Sequence, residues 1–305
     1  MRGGGVNTFV YPSELLPCRN NLALYAMWAY HLENENRRNL SVADLKEKYN
    51  ELFNNKKFVL PRMTMVFTTR CTYRCKECIE MIPYLKKHED VAKEEVFQDI
   101  DNLVSNIDEC VFLELIGGEP FLYKDLDAVL EYVVKEDKIR NVAIVTNGTV
   151  TLSEDMISML KHEKLSAIVS DYGISDKPRI FVDKLREQEI CVNVLYEQEW
   201  FSAGGCEKRN RSMEELKRQY DKCHAPWWCK TIYKGYMYAC IRSIGLYDLG
   251  YIDEKQDLLE IKSNCREEIE EFFKRDWCDA CDHCDWYTEN HRYCRAGEQV
   301  NSFES

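Results

Sequence analysis

No apolar run in this sequence is long enough to cross a bilayer: the best, Leu22–Tyr30, falls far short of the roughly 18–20 residues required. The N-terminus carries no basic segment followed by an apolar stretch and a small-residue cleavage site. The expectation is therefore a cytoplasmic chain with no membrane partner. Basic residues are also in deficit. Lys and Arg number 41 against 53 Asp and Glu, a formal net charge of −12 with pI near 5.2. Proteins that wrap nucleic acid present a basic face, so a nucleic-acid partner is not expected. Internal repeats and low-complexity segments are missing too. What remains is ordinary globular composition, 45% apolar and 31% charged over 305 residues. That length suffices for one large domain, or a large and a small one.

Cysteine, by contrast, is abundant. A reducing compartment gives little use for disulfides, so 15 cysteines read as metal ligands or catalytic thiols. Three fall at 71–78 and eight between 223 and 294, while Cys18, Cys110, Cys191 and Cys206 are scattered.

The apolar pattern divides the chain into three. Residues 1–60 read as a helical extension, with Ser41 preceding a stripe of Val42, Leu45, Tyr49 and Leu52. Residues 61–210 alternate. Short β-rich runs at Met63–Thr68, Cys110–Ile116, Val142–Thr146, Ala167–Ser170 and Ile190–Leu195 are separated by helical stripes. These stripes are Val96 to Ile107, Leu126 to Val133, and Met156 to Leu160 behind a Ser153 cap. Such alternation predicts an α/β fold with a parallel sheet covered by helices. Residues 211–305 read as a small Cys-rich domain, with a hairpin at Thr231–Ile241 and a helix near Arg266–Lys274.

Cys71-Thr-Tyr-Arg-Cys75-Lys-Glu-Cys78 directly follows the first predicted strand. Three thiolates at this spacing can grip three corners of a cubane and leave the fourth iron open, which chemistry at the cluster needs. A zinc site would use four N or S ligands, for which Cys75 and Cys78 alone supply a C-x-x-C pair.

This stretch resembles the radical S-adenosylmethionine (SAM) superfamily. That resemblance implies a partial (β/α)6 TIM-like barrel, a [4Fe-4S] cluster at Cys71, Cys75 and Cys78, and SAM as cofactor. Gly117-Gly118-Glu119-Pro120 looks like the family's GGEP-type segment, which contacts the amino group of SAM. A glycine pair lets a ligand approach the backbone, and a carboxylate accepts hydrogen bonds from an ammonium. Thr146-Asn147-Gly148 and then Ser170 and Asp171, at the next two strand ends, match further family positions near SAM. Strand C-termini are where parallel sheets and barrels place their sites. Glu77 departs from the aromatic or apolar residue that many members carry before the last cysteine, and the adenine contacts stay unassigned.

The second group is similar to the auxiliary-cluster domains called SPASM or twitch. Cys223 and Cys240 flank the predicted hairpin and Cys278-x-x-Cys281 follows, which implies at least one auxiliary [4Fe-4S] cluster on these four residues. Cys229, Cys284 and Cys294 are further candidates, although the spacing after Cys281 departs from the full pattern. The alternative is a zinc knuckle of Cys278, Cys281, Cys284 and Cys294 or His291. Cys206, in the Gly204-Gly205-Cys206 loop, reads as an ordinary loop cysteine in preference to a hydrogen-atom donor.

The implied reaction is reductive cleavage of SAM to a 5′-deoxyadenosyl radical that abstracts hydrogen from substrate. The expected outcome is oxidation of a sugar, aminocyclitol or other small metabolite, with electrons from a low-potential donor such as flavodoxin or ferredoxin. Maturation of a ribosomal peptide by crosslinking or epimerisation is one alternative, and a non-catalytic zinc-binding adaptor is another.

Overall fold

The computed structural model describes residues 57–196, 199–223 and 230–300, apart from the side chains of 254 and 255. The expected N-terminal helix and Cys229 lie outside these residues. No described helix is long and apolar enough to cross a membrane.

The end of the expected helical extension is instead a short strand, β1 (Val59–Leu60), and the strands after it form where the apolar runs predict them: β2 (Met63–Val66), β3 (Glu109–Ile116), β4 (Ile139–Thr146), β5 (Leu165–Asp171) and β6 (Val192–Tyr196). Every residue of β2 is buried and β3 to β5 are buried almost throughout. Strands covered on both faces need no polar alternation, which is why they read as continuous apolar runs. Helices α1 (Lys93–Asn106), α2 (Leu126–Val133), α3 (Glu154–Leu160) and α4 (Lys177–Glu187) fill the crossovers. Ser153 caps α3 as predicted, its hydroxyl accepting from the Met156 N–H at 3.2 Å.

Five parallel strands run β2-β3-β4-β5-β6, and β1 also pairs with β3. The sixth parallel strand comes from the far end of the chain. After β7 (Glu199–Ser202) and α5 (Met213–Lys222), β8 (Thr231–Tyr233) lies parallel to β2, with Thr64 opposite Thr231 and Met65 opposite Ile232. Antiparallel β9 (Tyr236–Tyr238) and β10 (Leu258–Glu260) extend the same sheet. The predicted hairpin is thus β8–β9. Its two-residue turn, Lys234-Gly235, has positive φ at both positions (49° and 77°), the turn that matches strand twist. Helices α6 (Ile241–Leu249) and α7 (Arg266–Phe273) complete this part, and β11 (Arg292–Arg295) pairs with β7 in a separate ribbon.

Helix α1 fastens the C-terminal part to the sheet through polar side chains on its buried face. Asn102 donates to the Ile261 carbonyl at 3.1 Å, and Asn106 donates to the Lys262 carbonyl (2.6 Å) and accepts from the Cys265 N–H (2.7 Å). Asp99 accepts the Gly235 N–H at 3.0 Å across the hairpin turn.

Burial raises the Asp99 carboxyl from 3.8 to about 6. A carboxyl held above its unfolded value binds its proton more tightly when folded. Its contribution is therefore fully present below pH 3.8 and is lost as pH rises through 6. An amide keeps the acceptor for Gly235 without the charge. Asp99→Asn is expected to match the native chain near pH 4 and to exceed it at pH 7 by on the order of 2 kcal/mol, read from thermal melts at both pH values. A constant difference between the two would remove this account.

Candidate active site and second thiol group

The predicted site segments all emerge from the C-terminal ends of neighbouring parallel strands. The carbonyls of the chain leaving β2 meet the turn after β3. Gly118 N–H donates to Thr68 O at 2.9 Å and Glu119 N–H to Arg70 O at 2.7 Å. A Cβ on Gly117, where φ is +136°, would lie 2.3 Å from Thr68 O, and one on Gly118 would lie 2.1 Å from Arg70 O. The glycine pair therefore admits the backbone leading into the cysteine loop.

Glu119 is fully buried and ties three segments together. Its Oε1 accepts from the Thr146 hydroxyl (2.7 Å) and the Phe121 N–H (3.2 Å), and its Oε2 from the Asn147 N–H (2.8 Å). A carboxylate offers about four lone-pair sites, so one remains on Oε2. Burial raises the Glu119 carboxyl against the lowering effect of these donors. Asn147 then reaches the cysteine loop: its Nδ2 donates to Thr72 Oγ1 at 2.9 Å and approaches Cys71 Sγ at 3.7 Å. Pro120 opens the short helical turn Pro120–Leu122. Ser170 is buried at the end of β5, and Asp171 beside it accepts the Gly173 N–H at 2.9 Å.

Within the loop, Cys75 is buried, and the backbone N–H groups of Ile82 and Glu80 point at the Cys78 sulfur. Burial pushes the Cys71 thiol up to about 12 and raises Cys75 and Cys78 as well. The Glu80 carboxyl, raised to about 8 by burial, leaves its buried Oε2 without a hydrogen-bond partner. Its charge and that of Glu119 both act on Cys71. One buried thiol, two half-buried ones and an orphaned carboxyl oxygen form a donor set that suits a cationic guest such as iron or a sulfonium.

Sequence reasoning missed the strap over this loop. Val300 N–H donates to Arg74 O (2.8 Å) and Lys76 N–H to Glu298 O (2.6 Å). Gln299 accepts the Arg74 N–H at 2.7 Å and places its Nε2 3.5 Å from Cys75 Sγ. Cys294 lies on this side as well. It sits on β11 with its thiol 3.4 Å from the Trp200 carbonyl and within the field of Glu77 and Glu298.

The second group does gather. Cys278 and Cys281 sulfurs stand 3.4 Å apart, and Cys281 feels Cys223, Cys284 and Cys240. The buried Tyr220 hydroxyl is raised well above its usual range by burial and then by Cys278, Cys281, Cys223 and Cys240 together. All four predicted ligands therefore lie in one neighbourhood, with Cys284 near Cys281. Among the described residues no three His, Cys, Asp or Glu side chains close on a single ion.

Long-range polar contacts hold this group, and none has a local sequence signal. Asp257, raised by burial to about 6, accepts from Ser243 Oγ (2.6 Å) and from the N–H groups of Asp279 (2.5 Å) and Ala280 (3.0 Å), inside the C-x-x-C turn. Arg211 donates to the carbonyls of Cys281 and Cys284, and Gln219 to those of Cys284 and Trp286. Arg209 and Arg211 both pair with Asp285. The buried Lys230 ammonium is lowered to about 8, chiefly by burial.

Residues 65–172 match the radical SAM superfamily, a span that contains every predicted SAM-site residue. The GTP 3′,8-cyclase of Clostridium botulinum (strain Okra / Type B1) is 30% identical over 103 residues, 33% of this chain and 31% of that protein. The antilisterial bacteriocin subtilosin biosynthesis protein AlbA of Bacillus subtilis (strain 168) is 32% identical over 116 residues, 37% of this chain and 23% of AlbA. The matches thus span a third or less of these curated relatives. Among solved structures, BtrN in complex with AdoMet and 2-DOIA has a TM-score of 0.46 at 16% identity, covering 71% of this chain and 83% of BtrN.

Proposed function

The chain carries a radical SAM domain at residues 65–172, and on that premise we propose that it oxidises a sugar, aminocyclitol or other small metabolite by hydrogen abstraction. The observation that carries the oxidative part is the second gathering of thiols, Cys223, Cys240, Cys278 and Cys281, apart from the Cys71–Cys78 loop. When bound, a [4Fe-4S] cluster and SAM supply a 5′-deoxyadenosyl radical able to take hydrogen from an unactivated carbon. Cys71, Cys75 and Cys78 would hold the first cluster, and Asn147 orients the Cys71 thiol. Glu119 fixes the ends of β3 and β4 and keeps one acceptor site for an ammonium. The Gly117-Gly118 turn holds the cysteine loop in register with β3.

Removing a hydrogen atom leaves a substrate radical. Loss of one further electron and a proton completes a two-electron oxidation, such as alcohol to ketone. The second thiol group would house an auxiliary [4Fe-4S] cluster as the acceptor of that electron. A low-potential donor of the flavodoxin or ferredoxin type would supply the first. The likeness to AlbA supports a second reading, in which the substrate is a peptide.

Anaerobic reconstitution with iron and sulfide tests these statements. The expected result is two cubanes' worth of iron per chain and reductant-dependent 5′-deoxyadenosine from SAM, stimulated by aminocyclitols or sugars. Stimulation by peptides alone moves the substrate to the second reading. Uptake of zinc with no iron and no 5′-deoxyadenosine leaves only an adaptor.

A further inference from the structure

Lys230 begins the strand that joins the second thiol group to the sheet. Its carbonyl accepts from both the N–H and the hydroxyl of Thr64, at 3.1 and 3.0 Å, so its backbone is fixed on β2. The side chain turns inward. The residue is 2% exposed, and its ammonium has no hydrogen-bond partner among the described residues. Its Nζ lies 5.0 Å and 4.8 Å from the ring centroids of Phe272 and Phe273 on α7.

Two aromatic faces offset only part of what an ammonium loses on leaving water, and a buried charge persists where an anion compensates it. Among the described residues, the charged groups that act on it most are Cys278, Cys240, Arg275 and Asp257. Arg275 is a like charge. The Asp257 carboxylate is already engaged by Ser243, Asp279 and Ala280. Of these described groups, that leaves the thiols. As neutral S–H groups they offer Lys230 nothing; as four thiolates they outweigh the positive charge of an oxidised cubane core, and the assembly is a net anion.

We infer that Lys230 is the built-in counter-charge of a cluster bound by Cys223, Cys240, Cys278 and Cys281, a positioning residue that holds its reduction potential up. A fixed cation beside a cluster favours the state that carries one more electron. This suits a site that must accept an electron from a substrate radical. The inference rests on the proposed auxiliary cluster and adds to it the residue that sets its potential.

The test compares the full-length native chain with Lys230→Met and Lys230→Arg, each with and without reconstituted iron. In an EPR-monitored redox titration, Lys230→Met is expected to shift the auxiliary cluster by about tenfold in its reduced-to-oxidised ratio, ~59 mV downward for one electron. Lys230→Arg is expected to restore most of that shift, and the Cys71–Cys78 cluster is expected to keep its native potential. In the iron-free state, Lys230→Met is expected to melt above the native chain, because an uncompensated buried charge has gone; with iron, that order is expected to reverse. A loaded Lys230→Met protein with native potential overturns the inference. If Lys230→Met fails to load, the iron-free melts decide: an equal or lower melt makes Lys230 a packing residue and overturns the inference, and a higher one upholds it. A native chain that takes up only one cubane's worth of iron sinks the auxiliary-cluster reading itself, and this inference with it.

Discussion

Replacing Cys71, Cys75 and Cys78 together with alanine is expected to halve the iron taken up on anaerobic reconstitution and to reduce 5′-deoxyadenosine formation to that of a protein-free control. A cubane gripped at three corners loses its seat when those thiolates go. Cys294 is the next thiol on that side, and it lies on β11 beside the Trp200 carbonyl. The remaining iron belongs to Cys223, Cys240, Cys278 and Cys281, which other elements hold. The fold is expected to survive. The loop keeps its backbone bonds to Gly118, Glu119, Glu298 and Val300. Removing a buried thiol costs only about 1 kcal/mol of lost packing per site. Circular dichroism melts separate this outcome from simple unfolding. Unchanged iron content in the triple variant would place the first cluster elsewhere and end the reading.

That prediction needs little beyond the sequence, because the cysteine loop and the ends of β3, β4 and β5 are local features. Apolar runs longer than a turn locate strands. A cysteine trio, a glycine pair and Thr146-Asn147 at successive strand ends locate the site. What escaped notice is non-local. Nothing near Thr231 announces that it pairs with Thr64 as the sixth parallel strand. Asp99, Asn102 and Asn106 look like an exposed face of α1, and become buried only because the C-terminal part docks there. Asp257 sits on a single helical turn and reaches Asp279 and Ala280 in the C-x-x-C turn, far along the chain. The strap of Glu298, Gln299 and Val300 over Arg74–Lys76 joins the two ends of the described chain. Cys294 shows the same limit from the other side. Spacing groups it with Cys284, whereas the pairing of β11 with β7 sets it opposite Trp200 and in the field of Glu77.

The glycine pair separates two explanations of one motif, and its substitution carries the second large effect. If Gly117 and Gly118 serve only to admit a ligand, an added methyl would weaken SAM binding and leave the empty protein untouched. The geometry argues for an effect before any ligand arrives. A Cβ at Gly118 meets the Arg70 carbonyl oxygen at 2.1 Å, closer than any real contact, and that oxygen is backbone, already accepting the Glu119 N–H. Relief requires moving either the turn after β3 or the segment that enters the cysteine loop. Gly118→Ala is therefore expected to cost about 1–3 kcal/mol in the iron-free protein, the range for overpacking. Because Arg70 immediately precedes Cys71, iron loading at the first site should fall as well. Gly173→Ala supplies the contrast. Gly173, unlike Gly118, has positive φ, +66°, but nothing lies within 4 Å of its added methyl. It bears only the left-handed backbone penalty of roughly 1–2 kcal/mol, with iron loading unaltered. Equal loading by the two variants would return the glycine pair to a purely ligand-facing role.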